Sequence, residues 1–328
     1  MTPILDARDI RVSYASRGRG RAVAVDGVNL SLDEGEILAL AGESGCGKTT
    51  LAKALLGLVV PDSGRVTYAG APVTYRARDL RRLRRGVQLV MQDPTGALNP
   101  RHTVFDAVAE GPRIHRLGGD ETERVTQALS HAGLRPPADF LARYPHELSG
   151  GQRQRVVIAG ALALRPRVIV ADEPVASLDA SVRGEILALL LRLRDELGLS
   201  AVIVTHDLGV AWNIADRLAV MYAGRIVEHG PAADILTQPR HPYTRALVSV
   251  LPDSPVGAPI VLSGETPDAT DIPAGCRFHP RCPALADGTA RQSHVDGDCR
   301  ARDLPIMDAR SPGAACHLVA PPALGWPA

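Results

Sequence analysis

Long apolar runs are missing from this chain. The most continuous ones, such as Ile37 to Ala41 and Val168 to Ala171, stop far short of the roughly 20 residues a helix needs to cross a bilayer. No segment is therefore expected to span a membrane. An excess of charge is missing too: 37 Lys and Arg against 36 Asp and Glu leave a net charge of +1, which argues against a basic surface that coats nucleic acid. Lysine itself is nearly absent, occurring only at Lys48 and Lys53. The first residues carry Asp6, Arg8, Asp9 and Arg11 and lack the apolar core of a signal peptide, which points to the cytoplasm, where disulfides are uncommon. Cysteine is scarce until the tail, which holds four of the five: Cys276, Cys282, Cys299 and Cys316.

What is present is an α/β pattern. The length of 328 residues, 45% of them hydrophobic, has room for one large domain and a small one. From Ile4 to about Val250, apolar strand-like runs alternate with helical patterns, as in a largely parallel sheet. After Leu251-Pro252 that rhythm gives way to a segment rich in Pro, Gly and Ala. The expected division is a domain over 1–250 and a loop-rich extension over 251–328. No internal repeat appears.

Three motifs carry the chemistry. In Gly42-Glu43-Ser44-Gly45-Cys46-Gly47-Lys48-Thr49, followed by Thr50, a strand runs into glycines and then into a helix predicted to begin near Thr49. Such a loop turns successive N–H groups toward phosphate oxygens, Lys48 reaches the β- and γ-phosphates, and Thr49 offers a hydroxyl to Mg²⁺. A lysine kept here in an arginine-rich chain suggests a need for a compact ammonium. At the end of the Val168–Ala171 run, Asp172 and Glu173 point in different directions, so that one suits a metal and its neighbour a water molecule. Ser149-Gly150-Gly151-Gln152 reads as a capping box that starts a helix through Leu164, with exposed N–H groups suited to an anion. Since the chain already has a phosphate loop, this helix start is expected to complete a partner's nucleotide site. Arg81, Arg82, Arg84 and Arg85 read as a solvated helix face, and Cys46 as a small filler.

In this order the three motifs resemble the ATP-binding subunit of an ABC transporter. The resemblance implies an α/β fold: a P-loop NTPase ABC ATPase core with an antiparallel β subdomain and a helical subdomain at about 93–165, plus the small Cys-containing C-terminal extension. It implies ATP and Mg²⁺, the latter held by Thr49, Gln92 and Asp172. Glu173 is implied as the general base, Gln92 as the glutamine that senses metal and water, and His206 as the switch histidine on the γ-phosphate. Tyr14 resembles the aromatic that stacks on adenine, and Ser177-Leu178-Asp179 the loop that communicates across a dimer. In such a dimer, Ser149 to Gln152 of one subunit cover the nucleotide of the other. Gly160 departs from the family, which often has arginine there. The implied partners are a second ATPase subunit, identical or homologous, two transmembrane permease subunits and, indirectly, an extracytoplasmic substrate-binding protein. Nucleic acid is not among them. The implied location is the cytoplasmic face of the membrane, as a peripheral subunit.

Gln92-Asp93-Pro94, Leu98-Asn99-Pro100-Arg101 and Tyr144-Pro145-His146-Glu147 resemble the dipeptide, oligopeptide and nickel importer group. The tail agrees, through His241 to Leu247 and Gly275-Cys276-Arg277-Phe278-His279-Pro280-Arg281-Cys282-Pro283. The expectation is thus an ATPase for peptide import, the alternatives being import of nickel or another small solute and a soluble ABC ATPase acting on nucleic acid or ribosomes. The segment from Asp93 to Tyr144 is short and lacks the sustained heptads of such soluble proteins. Four cysteines in one core-poor tail suggest a metal site: the resemblance favours a [4Fe-4S] cluster on Cys276, Cys282, Cys299 and Cys316, and zinc on the same thiolates stays open. The long stretch from Ala284 to Asp298 departs from the pattern and puts Cys299 most in question. His279, His294 and His317 lie near the cysteines without spacing that supports ligation.

Overall fold

The alternation of apolar and helical patterns resolves, in a computed structural model that describes residues 2–16, 20–252 and 254–319, into the strands β1 (Leu5–Ser16), β2 (Gly20–Leu32), β3 (Ile37–Ala41), β4 (Ser63–Tyr68), β5 (Ala71–Pro72), β6 (Val87–Val90), β7 (Val168–Asp172), β8 (Ser200–Thr205), β9 (Arg217–Tyr222), β10 (Arg225–Pro231) and β11 (Gly313–Ala314). The chain folds as two units, each assembled from separated stretches of sequence. One holds the residues up to Ile4, Leu32–Ile37 and Tyr68–Val204; the other holds Leu5–Ser31, Leu38–Thr67 and the residues from Thr205 onward.

In the first unit β6, β7 and β8 run parallel, with Val87 opposite Val168, Val168 opposite Ser200 and Asp172 opposite Val204. Parallel strands are covered on both faces. This is why Val168 to Ala171 and Ala201 to Val204 read as unbroken apolar runs and are buried throughout. The helices Val104–Ile114, Glu121–His131 and Gly150–Leu162 pack on one another through Val108, Ala109, Val125, Leu129, Val156 and Ile158. The helix Ala77–Gly86 buries Leu83 and leaves Arg81, Arg82, Arg84 and Arg85 exposed.

In the second unit β3 pairs parallel with β9, Ala41 lying opposite Val220. β9 pairs antiparallel with β10, and β10 antiparallel with the tail strand β11, where Glu228 faces Ala314. β2, β1 and β4 neighbour one another in that order in a second sheet. The tail contributes to the core rather than trailing from it. Cys276, Phe278 and Cys282 belong to the same buried cluster as Ala39, Ala41, Leu218 and Val220. Phe278 meets Tyr222 edge-on at 5.2 Å between centroids and Tyr243 at 5.4 Å, the offset geometry that aromatic quadrupoles favour.

Candidate nucleotide site

The fully buried β3 delivers the chain into the glycine loop, and the helix Lys48–Leu55 begins one residue earlier than the sequence suggested. Gly47, with φ of 107°, caps that helix without a side-chain bond, so the first-turn N–H groups have no side-chain cap. A Cβ on Gly42 (φ 151°) would overlap the carbonyl oxygen of Met221, and one on Gly47 that of Ala24. Only glycine lets the backbone close this tightly. Lys48 is buried, and its Nζ donates to the carbonyl oxygens of Gly42 (2.7 Å) and Glu43 (2.8 Å). The ammonium is therefore aimed across the mouth of the loop. Ser44 and Thr49 are exposed and Thr50 half-buried. Cys46 is buried with its carbonyl accepting from Gly224 N–H at 2.9 Å, and burial pushes its thiol pKa up, as suits a filler.

Glu43, the only carboxylate of the loop, is tightly held. Arg281 grips it with two parallel bonds, Nη1 to Oε2 at 2.7 Å and Nη2 to Oε1 at 3.2 Å, while Thr266 Oγ1 donates to Oε2 at 2.9 Å. Its N–H donates to Tyr243 Oη at 2.8 Å. Burial alone would raise the Glu43 pKa, but the bonds from Arg281 and Thr266 and the Arg281 charge outweigh it and hold the group below the usual carboxylate range. Asp26, whose N–H donates to Gly224 O at 2.9 Å, is surrounded by Arg11, Arg225 and Arg277. Also in this unit, His206 follows β8 and is exposed, and Tyr14 on β1 is 44% exposed.

The first unit holds the other residues. Gln92 Nε2 donates to Glu173 Oε2 at 3.0 Å. Glu173 has a left-handed backbone, φ 49°, with its N–H bonded to Val204 O at 2.9 Å. A non-glycine residue in that region costs of order 1–3 kcal/mol, so the bond to Val204 helps to hold it there. Asp172 ends β7, half-buried. Ser149 and Gln152 form the expected reciprocal box: Ser149 Oγ accepts from Gln152 N–H at 3.2 Å, and Gln152 Oε1 accepts from Ser149 N–H at 3.0 Å. Ser149 and Gly150 are exposed. A Cβ on Gly151 would sit 2.6 Å from Val182 Cγ1, so glycine there lets the Ser149–Gln152 box lie against the helix Ala180–Leu197. Asp179 caps that helix, accepting from Val182 N–H at 3.0 Å and Ser181 Oγ at 2.8 Å, bonds that lower its pKa.

The metal site expected of the tail is not there. Among the described residues no group of three or more His, Cys, Asp or Glu side chains is arranged to hold a metal ion, which overturns both the iron–sulfur and the zinc expectations for Cys276, Cys282, Cys299 and Cys316. All four are free and buried. Burial raises every one of their pKa values, Cys276 to about 12 and Cys299 to about 11. Neutral thiols of this kind pack as small apolar side chains. The tail residues that do reach the phosphate loop, Thr266 and Arg281, were passed over in the sequence because the cysteines beside Arg281 drew the reading; the available signal was the pair of arginines flanking Phe278.

Comparison with known proteins settles the family. The ABC transporter profile matches residues 25–176, and the profile for the oligopeptide/dipeptide transporter C-terminal region matches residues 227–288. A protein of Brucella ovis named as a peptide import ATP-binding protein is 41% identical over 88% of this chain and 92% of its own length. One of the same description from Brucella abortus is 43% identical over 95% of this chain and 91% of its own length. The chain belongs to the peptide import ATP-binding proteins of ABC transporters. Solved structures agree in fold. CbiO1 from Clostridium perfringens, part of the ABC transporter complex CbiONQ, is 31% identical with a TM-score of 0.65 over 73% of this chain and 92% of its own. The dimeric ATP-binding cassette MJ0796, bound to ADP and phosphate, is 30% identical with a TM-score of 0.62 over 70% of this chain and 98% of its own. The fold is thus the ABC ATPase fold, and the family's activity is ATP hydrolysis coupled to transport.

Proposed function

We propose that this protein is the ATP-binding and hydrolysing subunit that energises import of di- or oligopeptides through a membrane ABC transporter. The observation that carries the reading is the Lys48 ammonium held across a glycine loop where a Cβ on Gly42 or Gly47 would strike backbone, in a chain whose relatives at 41–43% identity are named for peptide import. Its functional partners are then a second such ATPase subunit, two permease subunits and an extracytoplasmic binding protein, and it works peripherally on the cytoplasmic face. Residues 1–250 form the ATPase domain, with the helical part at about 93–165, and 251–328 the extension; residue 253 and residues 320–328 lie outside the described residues.

The roles follow from the groups present. Lys48 exchanges its bonds to the loop carbonyls for oxygens of the β- and γ-phosphates, joined by the N–H groups from Gly42 to Thr50. Tyr14 offers its exposed ring to the adenine. The Thr49 hydroxyl, the Gln92 carboxamide and the Asp172 carboxylate each offer oxygen of the kind Mg²⁺ takes, and these are the residues that would hold it. When bound, Mg²⁺ would supply positive charge to offset that of the transferring phosphoryl group. Glu173 takes the proton of the attacking water, and Gln92 Nε2, which donates to its Oε2 at 3.0 Å, orients the carboxylate. His206 contacts the γ-phosphate. Ser149, Gly150, Gly151 and Gln152 present a helix N-terminus to the partner's nucleotide, and Asp179 braces the adjoining helix. A soluble coiled-coil ATPase finds no support between Asp93 and Tyr144, where the longest helices have 11 residues.

The test is Mg²⁺-dependent ATP hydrolysis by the chain assembled with its permease. Glu173→Gln should bind ATP yet hydrolyse it at least about 100-fold more slowly, the lower bound for losing a general base. Unchanged turnover would overturn the assignment.

A further inference from the structure

The phosphate loop carries a charge that works against its ligand. Glu43 places a carboxylate one residue into a cradle that must receive a polyphosphate, and like charges in a partly buried site repel far more strongly than in water. The structure answers this with residues distant in sequence. Arg281, its side chain 9% exposed, meets both Glu43 oxygens at 2.7 and 3.2 Å, and Thr266 Oγ1 adds a bond at 2.9 Å. A bidentate guanidinium fixes the plane of a carboxylate as well as neutralising it. Arg281 is itself held. Its guanidinium lies 5.9 Å from the Tyr222 ring centroid, and Nη1 is 3.4 Å from Tyr222 Oη. Three residues earlier Phe278 is locked against Tyr222 and Tyr243, and Arg277 donates to Ala223 O at 2.6 Å. Tyr243 in turn accepts the Glu43 N–H. The loop residue is thus tied at its backbone and at its side chain to one aromatic-anchored frame.

We infer that Arg281 is a positioning residue for ATP: by fixing and neutralising the Glu43 carboxylate it keeps that charge turned onto the tail instead of toward the phosphates, so that the C-terminal extension sets the nucleotide affinity of the loop. This rests on the reading that Gly42 to Thr49 hold the phosphates of ATP. It gives the extension a task in the reaction without requiring a metal.

The experiment measures binding of a fluorescent ATP analogue with Mg²⁺ to the full chain, alongside the melting temperature without nucleotide. Arg281→Ala should weaken binding about tenfold, the size of one charge-assisted hydrogen bond. Arg281→Lys, which keeps the charge and loses the fork, should fall between it and wild type. The decisive variant is Glu43→Gln combined with Arg281→Ala. With no carboxylate to release, it should regain most of the lost affinity even though its melting temperature stays as low as that of Arg281→Ala. Two results would overturn the inference: affinity in Arg281→Ala within twofold of wild type, or no recovery in the double variant, which would make Arg281 merely structural. If Arg281→Ala does not fold, Arg281→Lys with and without Glu43→Gln gives the same comparison. Lys48→Ala separates the two readings, since intact binding in that variant rejects the phosphate loop itself, whereas lost binding there beside normal binding in Arg281→Ala rejects only the clamp.

Discussion

Replacing Phe278 with alanine probes whether the tail is part of the second unit's core. The ring is 1% exposed and touches two tyrosines at centroid distances of 5.2 and 5.4 Å and His241 at 5.7 Å. Truncating a buried phenylalanine costs about 3–5 kcal/mol through lost transfer and the cavity left behind. Each aromatic pair adds about 0.5–1.5 kcal/mol beyond buried area, so the upper half of the range is expected. With a urea dependence of about 3 kcal/mol per molar, the unfolding midpoint followed by circular dichroism should fall by more than 1 M. Val261→Ala, at a site 91% exposed in the same tail, is the control and should leave the midpoint in place. A Phe278→Ala midpoint no lower than that of Val261→Ala would refute the claim that residues beyond 250 build the core.

Acid should destabilise the fold through His241, whose ring is enclosed and whose Nδ1 accepts from Tyr243 N–H at 3.0 Å. Burial lowers its pKa from 6.5 to about 3, so between those values the unfolded chain binds a proton that the native chain excludes, and stability falls as pH drops. At pH 5 this amounts to about 2 kcal/mol, and His241→Asn, which keeps an acceptor at the helix start, should flatten the pH–stability curve below 6.5; an unchanged slope would contradict the assignment. The tail thiols, buried with raised pKa values, should react with a thiol reagent at neutral pH only when the protein unfolds, since the thiolate is the reactive form. Rapid modification of Cys276 or Cys299 in native protein would count against their packing.

The two parts of the nucleotide machinery differ in how they are written in the chain. The glycine loop, the strand ending in Asp172 and the Ser149–Gln152 box are local patterns, so spacing alone located them, and the helix starts fell within a residue of expectation. The Glu43–Arg281 pair is separated by 238 positions, and nothing local marks either residue as the other's partner. It becomes visible only once the tail folds against β9. The cysteines misled for a related reason. A count of four thiols does not say where they point, and here Cys276 and Cys282 lie in a core cluster with Phe278 while Cys299 and Cys316 are buried as well, so all four serve as apolar volume. The positive φ of Glu173 was equally hidden, because it reflects how the end of β7 is held by Val204 and not the preference of glutamate.

The central claim is ATP-driven peptide import, and uptake tests it most directly. In a strain deleted for this chain, accumulation of labelled dipeptides, longer peptides and Ni²⁺ would be followed after restoring either wild type or Glu173→Gln. Return of peptide uptake with wild type alone is the predicted result. Uptake that is restored equally by Glu173→Gln, or that never depended on the chain, would contradict it, and dependence of Ni²⁺ alone would reassign the cargo.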